Sequence, residues 1–151
     1  MDTSTEILFL GKILIASILG GLVGIEREFA DKPAGLRTHM LVCATSSFFV
    51  MLAILMVSSF NPQNLISTDP IRLIEAIVVG ISFLGAGTIL KYNQEKSVEG
   101  LTTSASILSV SAIGIAVALN TYILAIGVTL INLFINWGVN YLAHRAKSNT
   151  K

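Results

Sequence analysis

Charged side chains cluster between two apolar segments, where residues 20–40 read GGLVGIEREFADKPAGLRTHM. Proteins bind Mg²⁺ with one or two carboxylates and several retained waters, which makes Glu26 and Glu28 candidate metal ligands. The basic neighbours weigh against a dedicated cation site. The alternative is a solvated rim, in which Arg37 pairs with Glu26 across the turn. Further members of the cluster are Arg27, Asp31, His39, Lys91, Glu95 and Glu99.

Two more charges, Lys12 and Glu75, lie within apolar segments, where exposure to lipid is costly. Lys12 and Glu75 each lie about one helical turn from the end of their apolar segment on the same side of the membrane, so we expect the two side chains at similar depth in the bilayer. One interpretation is a buried ion pair between the first and third segments, or a pair of Glu75 with Arg72. The other is that Lys12 extends to the headgroups while Glu75 stays hydrated.

Amides and hydroxyls form two rows inside the later apolar segments. Asn132, Asn136 and Asn140 share one helix face with Thr129. Buried amides need partners in neighbouring helices or in a second copy of the chain, or else they line a path for a solute. Hydroxyls bury more cheaply, because they can bond to their own helix backbone. The second row comprises Thr102, Thr103, Ser104, Ser106 and Ser109.

The elements that position these groups are predicted to be membrane-spanning helices. The chain is 53% hydrophobic and 13% charged, with a mean hydropathy of +0.76. Its apolar residues come in blocks of about twenty, the length that crosses a bilayer as a helix. We therefore predict an all-α integral membrane protein, with residues 1–151 as a single domain. The predicted spans are about 7–25, 38–58, 71–90, 101–119 and 122–143, separated by Pro33, Gly35, Asn61-Pro62, Asp69-Pro70, Gly100 and Asn120.

The distribution of basic residues predicts the orientation of the spans. Five spans place the turn at 26–37, the connection at 91–100 and the C-terminus on one side of the membrane. That side holds eight Lys and Arg residues, whereas the opposite connections hold only Arg72. Because basic residues collect on the cytoplasmic side, the N-terminus is predicted outside and the C-terminus in the cytoplasm.

Small residues at helical spacing predict close helix packing. Ala16, Gly20 and Gly24 repeat every four residues in the first span, which lets a second backbone approach. In the third span, glycines between residues 80 and 87 either pack against a neighbour or bend the helix beside a polar path.

Several classes of function lack support in the sequence. The two histidines show no paired spacing typical of a metal site, and no nucleophile stands beside a base, so we expect no enzyme and no cofactor other than Mg²⁺. No basic patch suits nucleic acid. Cys43 is the single cysteine and forms no intrachain disulfide. The start MDTSTE is acidic where a cleavable signal is basic, so the first helix is expected to remain.

Four segments, GGLVGIERE, AGLRTHMLV, GISFLGAGTIL and GLTTSASI, begin at residues 20, 34, 80 and 100. In this order and spacing the chain resembles the MgtC/SapB family. The resemblance implies a five-helix domain in a bacterial inner membrane or a plastid membrane, with a role in magnesium homeostasis. It also implies a partner, because some members are thought to restrain a membrane complex, the F-type ATP synthase. The rival interpretation is a small ion or solute transporter.

The resemblance identifies a set of residues in this chain that match the signature of the family. Ser82 departs from it by replacing a glycine, and Ile107-Leu108 stand where an aromatic residue is usual. A soluble C-terminal domain, which many relatives carry, is not expected here. The signature residues are Glu26, Arg27, Glu28, Gly35, Arg37, Thr38, Gly85, Gly87, Gly100, Thr102 and Thr103.

Overall fold

A computed structural model describes residues 3–60, 70–91 and 99–148, and within these ranges the chain is all-helical, as predicted. The helices are α1 (Thr3–Phe29), α2 (Leu36–Phe60), α3 (Pro70–Lys91), α4 (Glu99–Ala118) and α5 (Tyr122–Ser148). Some predictions fall outside the described residues. They concern Glu95, Lys96 and Lys151, and the side chains of Lys91, Glu99, Asn140, His144, Arg145 and Lys147.

The first four helices are long and apolar enough to cross a membrane: Thr3–Phe29, Leu36–Ser58, Ile71–Ile89 and Gly100–Ala118. In α5 the apolar part with described side chains is Tyr122–Gly138. The helices α1 and α2 extend a few residues beyond the predicted spans. Polar residues such as Thr5 and Glu28 do not break a helix, so α1 continues past its apolar stretch until a turn ends it.

Two turns end their helices through a residue in the left-handed conformation, Asp31 with φ 51° and Asn120 with φ 62°. After α1, Lys32 N–H donates to the Arg27 carbonyl at 3.0 Å and Asp31 N–H to the Glu28 carbonyl at 3.1 Å. The α4–α5 turn repeats this pattern at Asn120. The pattern is a Schellman motif, which satisfies the last carbonyls of a helix. The turn predicted from Asn120 is therefore confirmed.

Small residues set the packing of the first pair of helices. A Cβ on Gly20 would lie 2.6 Å from the Cys43 Cβ, and a Cβ on Gly24 would lie 2.8 Å from the Leu36 Cα. On the other side of α2, a Cβ on Gly114 of α4 would overlap the Cys43 carbonyl group. α2 is thus held closely between α1 and α4, and the close-packing prediction for the first span is confirmed.

The helix α4 is the centre of the bundle, because it packs against each of the other four helices. Its buried apolar residues join those of α1, α2 and α5 in one core cluster, and those of α2 and α3 in a second. The first cluster includes Val23, Cys43, Ile113 and Val117. The helix α3 is the most peripheral of the four long apolar helices, because only 11% of the residues in its most apolar stretch are buried.

Candidate functional site

Polar side chains concentrate where α1 and α3 end and α2 and α4 begin. We call this region the polar end and define it by Glu26, Arg27, Glu28, His39 and Ser106. The Schellman turn at Asp31 reverses the chain between α1 and α2, which brings the first turn of α2 next to the Glu28 carboxylate of α1. Three of its five residues, Glu26, Arg27 and Glu28, are signature residues predicted from the sequence.

The buried charge at the polar end belongs to Arg27, which is 1% exposed. Its Nε lies 2.6 Å from Glu26 Oε2 and its Nη2 lies 3.0 Å from Glu26 Oε1. The predicted pair of Arg37 with Glu26 is therefore wrong, and Arg37 is exposed. The physical reason is burial: a guanidinium removed from water requires a carboxylate, whereas an exposed one does not.

Glu28 joins α1 to α2 by capping the second helix. Its Oε2 accepts the Leu36 backbone N–H at 2.9 Å, where the N–H groups of α2 have no partner within the helix. A Cβ on Gly35 would overlap this carboxylate, which explains the glycine. The negative charge also suits the positive end of the helix dipole.

The capping and pairing interactions bear on the predicted Mg²⁺ ligands. Both carboxylate oxygens of Glu26 contact Arg27, and one oxygen of Glu28 is engaged by α2. Across the described ranges, no three side chains of His, Cys, Asp or Glu are grouped so that they could hold a metal ion. Mg²⁺ binding at Glu26 would therefore have to compete with Arg27 for the same carboxylate.

His39 ties α2 to α4 and is fully buried. Its Nδ1 lies 2.8 Å from the Gly35 carbonyl oxygen, and its Nε2 lies 2.9 Å from Ser106 Oγ. A carbonyl only accepts, so Nδ1 carries the proton, and in a neutral ring Nε2 accepts from the serine hydroxyl. The charges of Arg27 and Glu26 lie near enough to act on the ring. Sequence reasoning placed both residues in polar groups but did not predict this bond.

Two signature segments meet where α3 packs on α4. The hydroxyls of Thr88 and Ser104 donate to the Gly85 carbonyl at 2.8 and 2.7 Å, and lie 2.9 Å from each other. A Cβ on Gly100 would lie 2.9 Å from the Ile89 Cα. The signature residues Gly85 and Gly100 are thus explained by a close helix crossing.

The remaining signature residues of α2, α3 and α4 lie elsewhere. A Cβ on Gly87 would meet no atom within 4 Å, and Thr102 is exposed. Thr103 is fully buried, and its hydroxyl has no hydrogen-bond partner among the described residues. Thr38 is partly buried in the first turn of α2. None of these residues takes part in the ion pair or the side-chain hydrogen bonds described above for the polar end.

Within the amide row of α5, Asn132 finds its partner in a neighbouring helix, α4, which is one of the alternatives drawn from the sequence. Asn132 Nδ2 donates to Ser109 Oγ and to the Val128 carbonyl, each at 2.8 Å. Thr129 donates to the carbonyl of Ala125 in its own helix. Asn136 is 7% exposed, and its Nδ2 has no partner in the described part of the chain. Among the described side chains of the row, Asn132 thus links two helices, whereas the Asn136 amide nitrogen is unsatisfied.

Lys12 is buried at the opposite end of the bundle, and the predicted pair with Glu75 is wrong. Its Nζ donates to the Ala118 carbonyl at 3.4 Å and lies 5.6 Å from the centre of the Phe9 ring. Glu75 is exposed. The last carbonyls of α4 carry partial negative charge, and an aromatic face attracts a cation. These two contacts hold Lys12 inside the bundle, so Lys12 neither pairs with Glu75 nor extends to the headgroups.

Comparison with known proteins gives a consistent set of relatives. A family model described as the MgtC family matches residues 13–145. The Escherichia coli K12 protein named "Putative magnesium transporter YhiD" is 34% identical over 127 residues, covering 84% of this chain and 58% of that protein. Protein SapB of Bacillus subtilis is 35% identical over 111 residues, covering 74% and 47%.

Protein MgtC of Salmonella typhimurium LT2 is 34% identical over 124 residues, covering 82% of this chain and 49% of that protein. The chain thus spans about half the length of the curated relatives it matches. No solved structure matches it.

Proposed function

The chain belongs to the MgtC family of membrane proteins, and from this premise we propose that it acts, without enzymatic activity, in magnesium or ion homeostasis. In this proposal it regulates a partner membrane complex rather than moving the ion itself. The name of the Escherichia coli relative supports the connection with magnesium. The bilayer of a bacterial inner membrane is the proposed location.

One observation supports regulation over transport. Interior polar side chains pair helix to helix: His39 with Ser106, Asn132 with Ser109, and Ser104 with the Gly85 carbonyl. Such pairs satisfy the buried groups by fixing neighbouring helices against each other. A regulator that presents a defined surface to a partner benefits from this rigidity.

The proposed working surface is the polar end together with Phe29, which is 87% exposed beside the buried Arg27. We place this surface on the cytoplasmic side because of the distribution of basic residues. The proposed partner is a large membrane complex of the F-type ATP synthase kind. Self-association of the chain is a further way to cover Phe29.

Photocrosslinking tests the partner proposal. A photoreactive residue at Phe29 is compared in native membranes with one at Ile123, which is 91% exposed at the opposite end. We expect the Phe29 variant to recover the subunits of a large membrane complex and the Ile123 variant to recover none of them. Equal recovery from both positions, or recovery only of the chain itself, would contradict regulation of a partner complex through the polar end.

Transport is the second candidate, and the unpartnered groups of Thr103 and Asn136 in the described part of the chain favour it. Buried groups without partners are expensive to keep unless they have a role, such as binding a passing solute. In proteoliposomes, Mg²⁺ flux that is lost in Asn136→Leu and kept in Ser82→Ala would support transport. Absence of flux in the unaltered protein would leave regulation as the better proposal.

A further inference from the structure

A cleft of about 600 Å³ lies between α2 and α3. Both helices pack on α4, but they touch each other at few positions, so the space between them stays open at the side of the bundle. The walls are apolar apart from two hydroxyl side chains of α2. Residues that line the cleft include Leu41, Thr45 and Phe49 of α2 and Leu73, Gly80 and Leu84 of α3.

A positive charge stands at one end of this apolar cleft. Arg37 is exposed one helical turn before Leu41, and Thr38 lies one turn before Val42, which also lines the cleft. In the described ranges Arg37 forms no ion pair, and the carboxylate of Glu28 is engaged by the Leu36 N–H. Arg37 directly precedes the predicted span 38–58, which places this guanidinium at headgroup level.

We propose that the cleft binds an anionic phospholipid, with its phosphate on Arg37 and an acyl chain along α2 and α3. An apolar channel with a cation at one mouth is complementary to a molecule with an apolar tail and a negative head. Arginine suits this role, because its planar fork can donate two hydrogen bonds to one phosphate. The Thr38 hydroxyl is placed to assist.

Headgroup recognition is tested by native mass spectrometry of the purified protein, titrated with phosphatidylglycerol or phosphatidylcholine. We expect the unaltered protein to prefer the anionic lipid and Arg37→Gln to lose about fivefold of that preference. Lys32→Gln removes a neighbouring charge away from the cleft and should change the preference little. An unchanged preference in Arg37→Gln would overturn the proposal. Loss of the preference for the anionic lipid in Arg72→Gln, but not in Arg37→Gln, would also overturn the proposal. The phosphate would then bind at the other end of the cleft.

Binding of the acyl chain in the cleft is tested by substitutions at two glycines of α3. A Cβ on Gly80 or on Gly87 would meet no atom within 4 Å, so both positions accept a side chain, but only Gly80 lines the cleft. Gly80→Leu should weaken binding of both lipids at least threefold, while Gly87→Leu should leave it unchanged. Equal binding by the two variants would contradict an acyl chain in the cleft.

The unaltered membrane provides a third test. A photoreactive residue at Thr45, an exposed position in the cleft wall, should give an adduct with the mass of a phospholipid in native membranes. An adduct with another protein would overturn the proposal in favour of a docked helix. This result does not depend on regulation or transport, so it separates the lipid site from the proposed function.

Discussion

His39 Nε2 lies 2.9 Å from Ser106 Oγ, and this bond joins the first turn of α2 to the first half of α4 in the interior of the bundle. The approach depends on Gly24, because a Cβ there would lie 2.9 Å from the His39 Cβ. A glycine of the small-residue face of α1, a buried histidine and a serine of the hydroxyl row therefore form one structural unit. The first prediction concerns this unit.

Ser106→Ala should lower the free energy of unfolding by about 1–3 kcal/mol, because it leaves a buried histidine nitrogen without a partner. The measurement is thermal or denaturant unfolding in detergent. Ser82→Ala is the matched control, since the exposed Ser82 hydroxyl bonds only to the Val78 carbonyl of its own helix. Its effect should stay within about 0.5 kcal/mol. Equal effects of the two substitutions would show that the His39 bond does not stabilise the fold.

Gly20→Ala should destabilise the α1–α2 pair by about 1–3 kcal/mol, because the added methyl would overlap Cys43 and the His39 carbonyl. Gly11→Ala adds the same methyl to α1 where no atom lies within 4 Å, and it should be neutral or stabilising. Unfolding of the two variants in the same detergent provides the comparison. A Gly20→Ala protein as stable as Gly11→Ala would contradict the close crossing.

Three substitutions at the polar end should differ in a fixed order. Glu26→Ala leaves the buried Arg27 uncompensated and should cost about 3–5 kcal/mol. Glu28→Ala removes the cap of α2 and should cost about 1 kcal/mol. Arg37→Ala should change stability little, because its side chain is exposed. Membrane protein levels and thermal stability of the three variants measure the order. Destabilisation by Arg37→Ala as large as that by Glu26→Ala would restore the pairing expected from the sequence.

The amide row yields opposite predictions for two neighbours. Asn132→Leu removes the bond to Ser109 and should destabilise the protein by about 1–2 kcal/mol. Asn136→Leu removes an amide that has no described partner and should be neutral or stabilising. Unfolding measurements on both variants test this contrast. Marked destabilisation by Asn136→Leu would indicate a partner outside the described part of the chain, or a bound water.

Orientation is a separate prediction of the distribution of charge. Reporter fusions that work only in the cytoplasm should be active at the C-terminus and inactive at the N-terminus. Activity at both ends would contradict an odd number of spans. It would also move the polar end away from the proposed cytoplasmic partner.

The helices and their turns were predictable because their signals are local. Apolar length sets a span, and Asn120 marks a turn by its tolerance of the left-handed conformation. The Gly20 and Gly24 face was predictable as well, since four-residue spacing alone aligns small residues on one side.

The partners of the charged groups were not predictable in the same way. Arg27 and Arg37 are equivalent in the sequence, and only the rotation of α1 against α2 decides which of them is buried. Similar depth in the bilayer suggests a pair of Lys12 with Glu75, but depth does not determine which helix lies opposite Lys12. The structure shows α4 there, with its last carbonyls facing Lys12. These choices depend on how deeply the glycine contacts let the helices approach.

The central position of α4 has a consequence for biosynthesis. The helices α1 and α2 leave the ribosome before α3 and α4 and carry their contact surface for each other, so this hairpin can assemble before the rest of the bundle. The helix α3 packs mainly on α4, which is translated after it. Until α4 enters the bilayer, α3 has no lasting neighbour in the nascent chain. During that interval, the insertion machinery or the surrounding lipid must cover the face of α3 that later packs on α4.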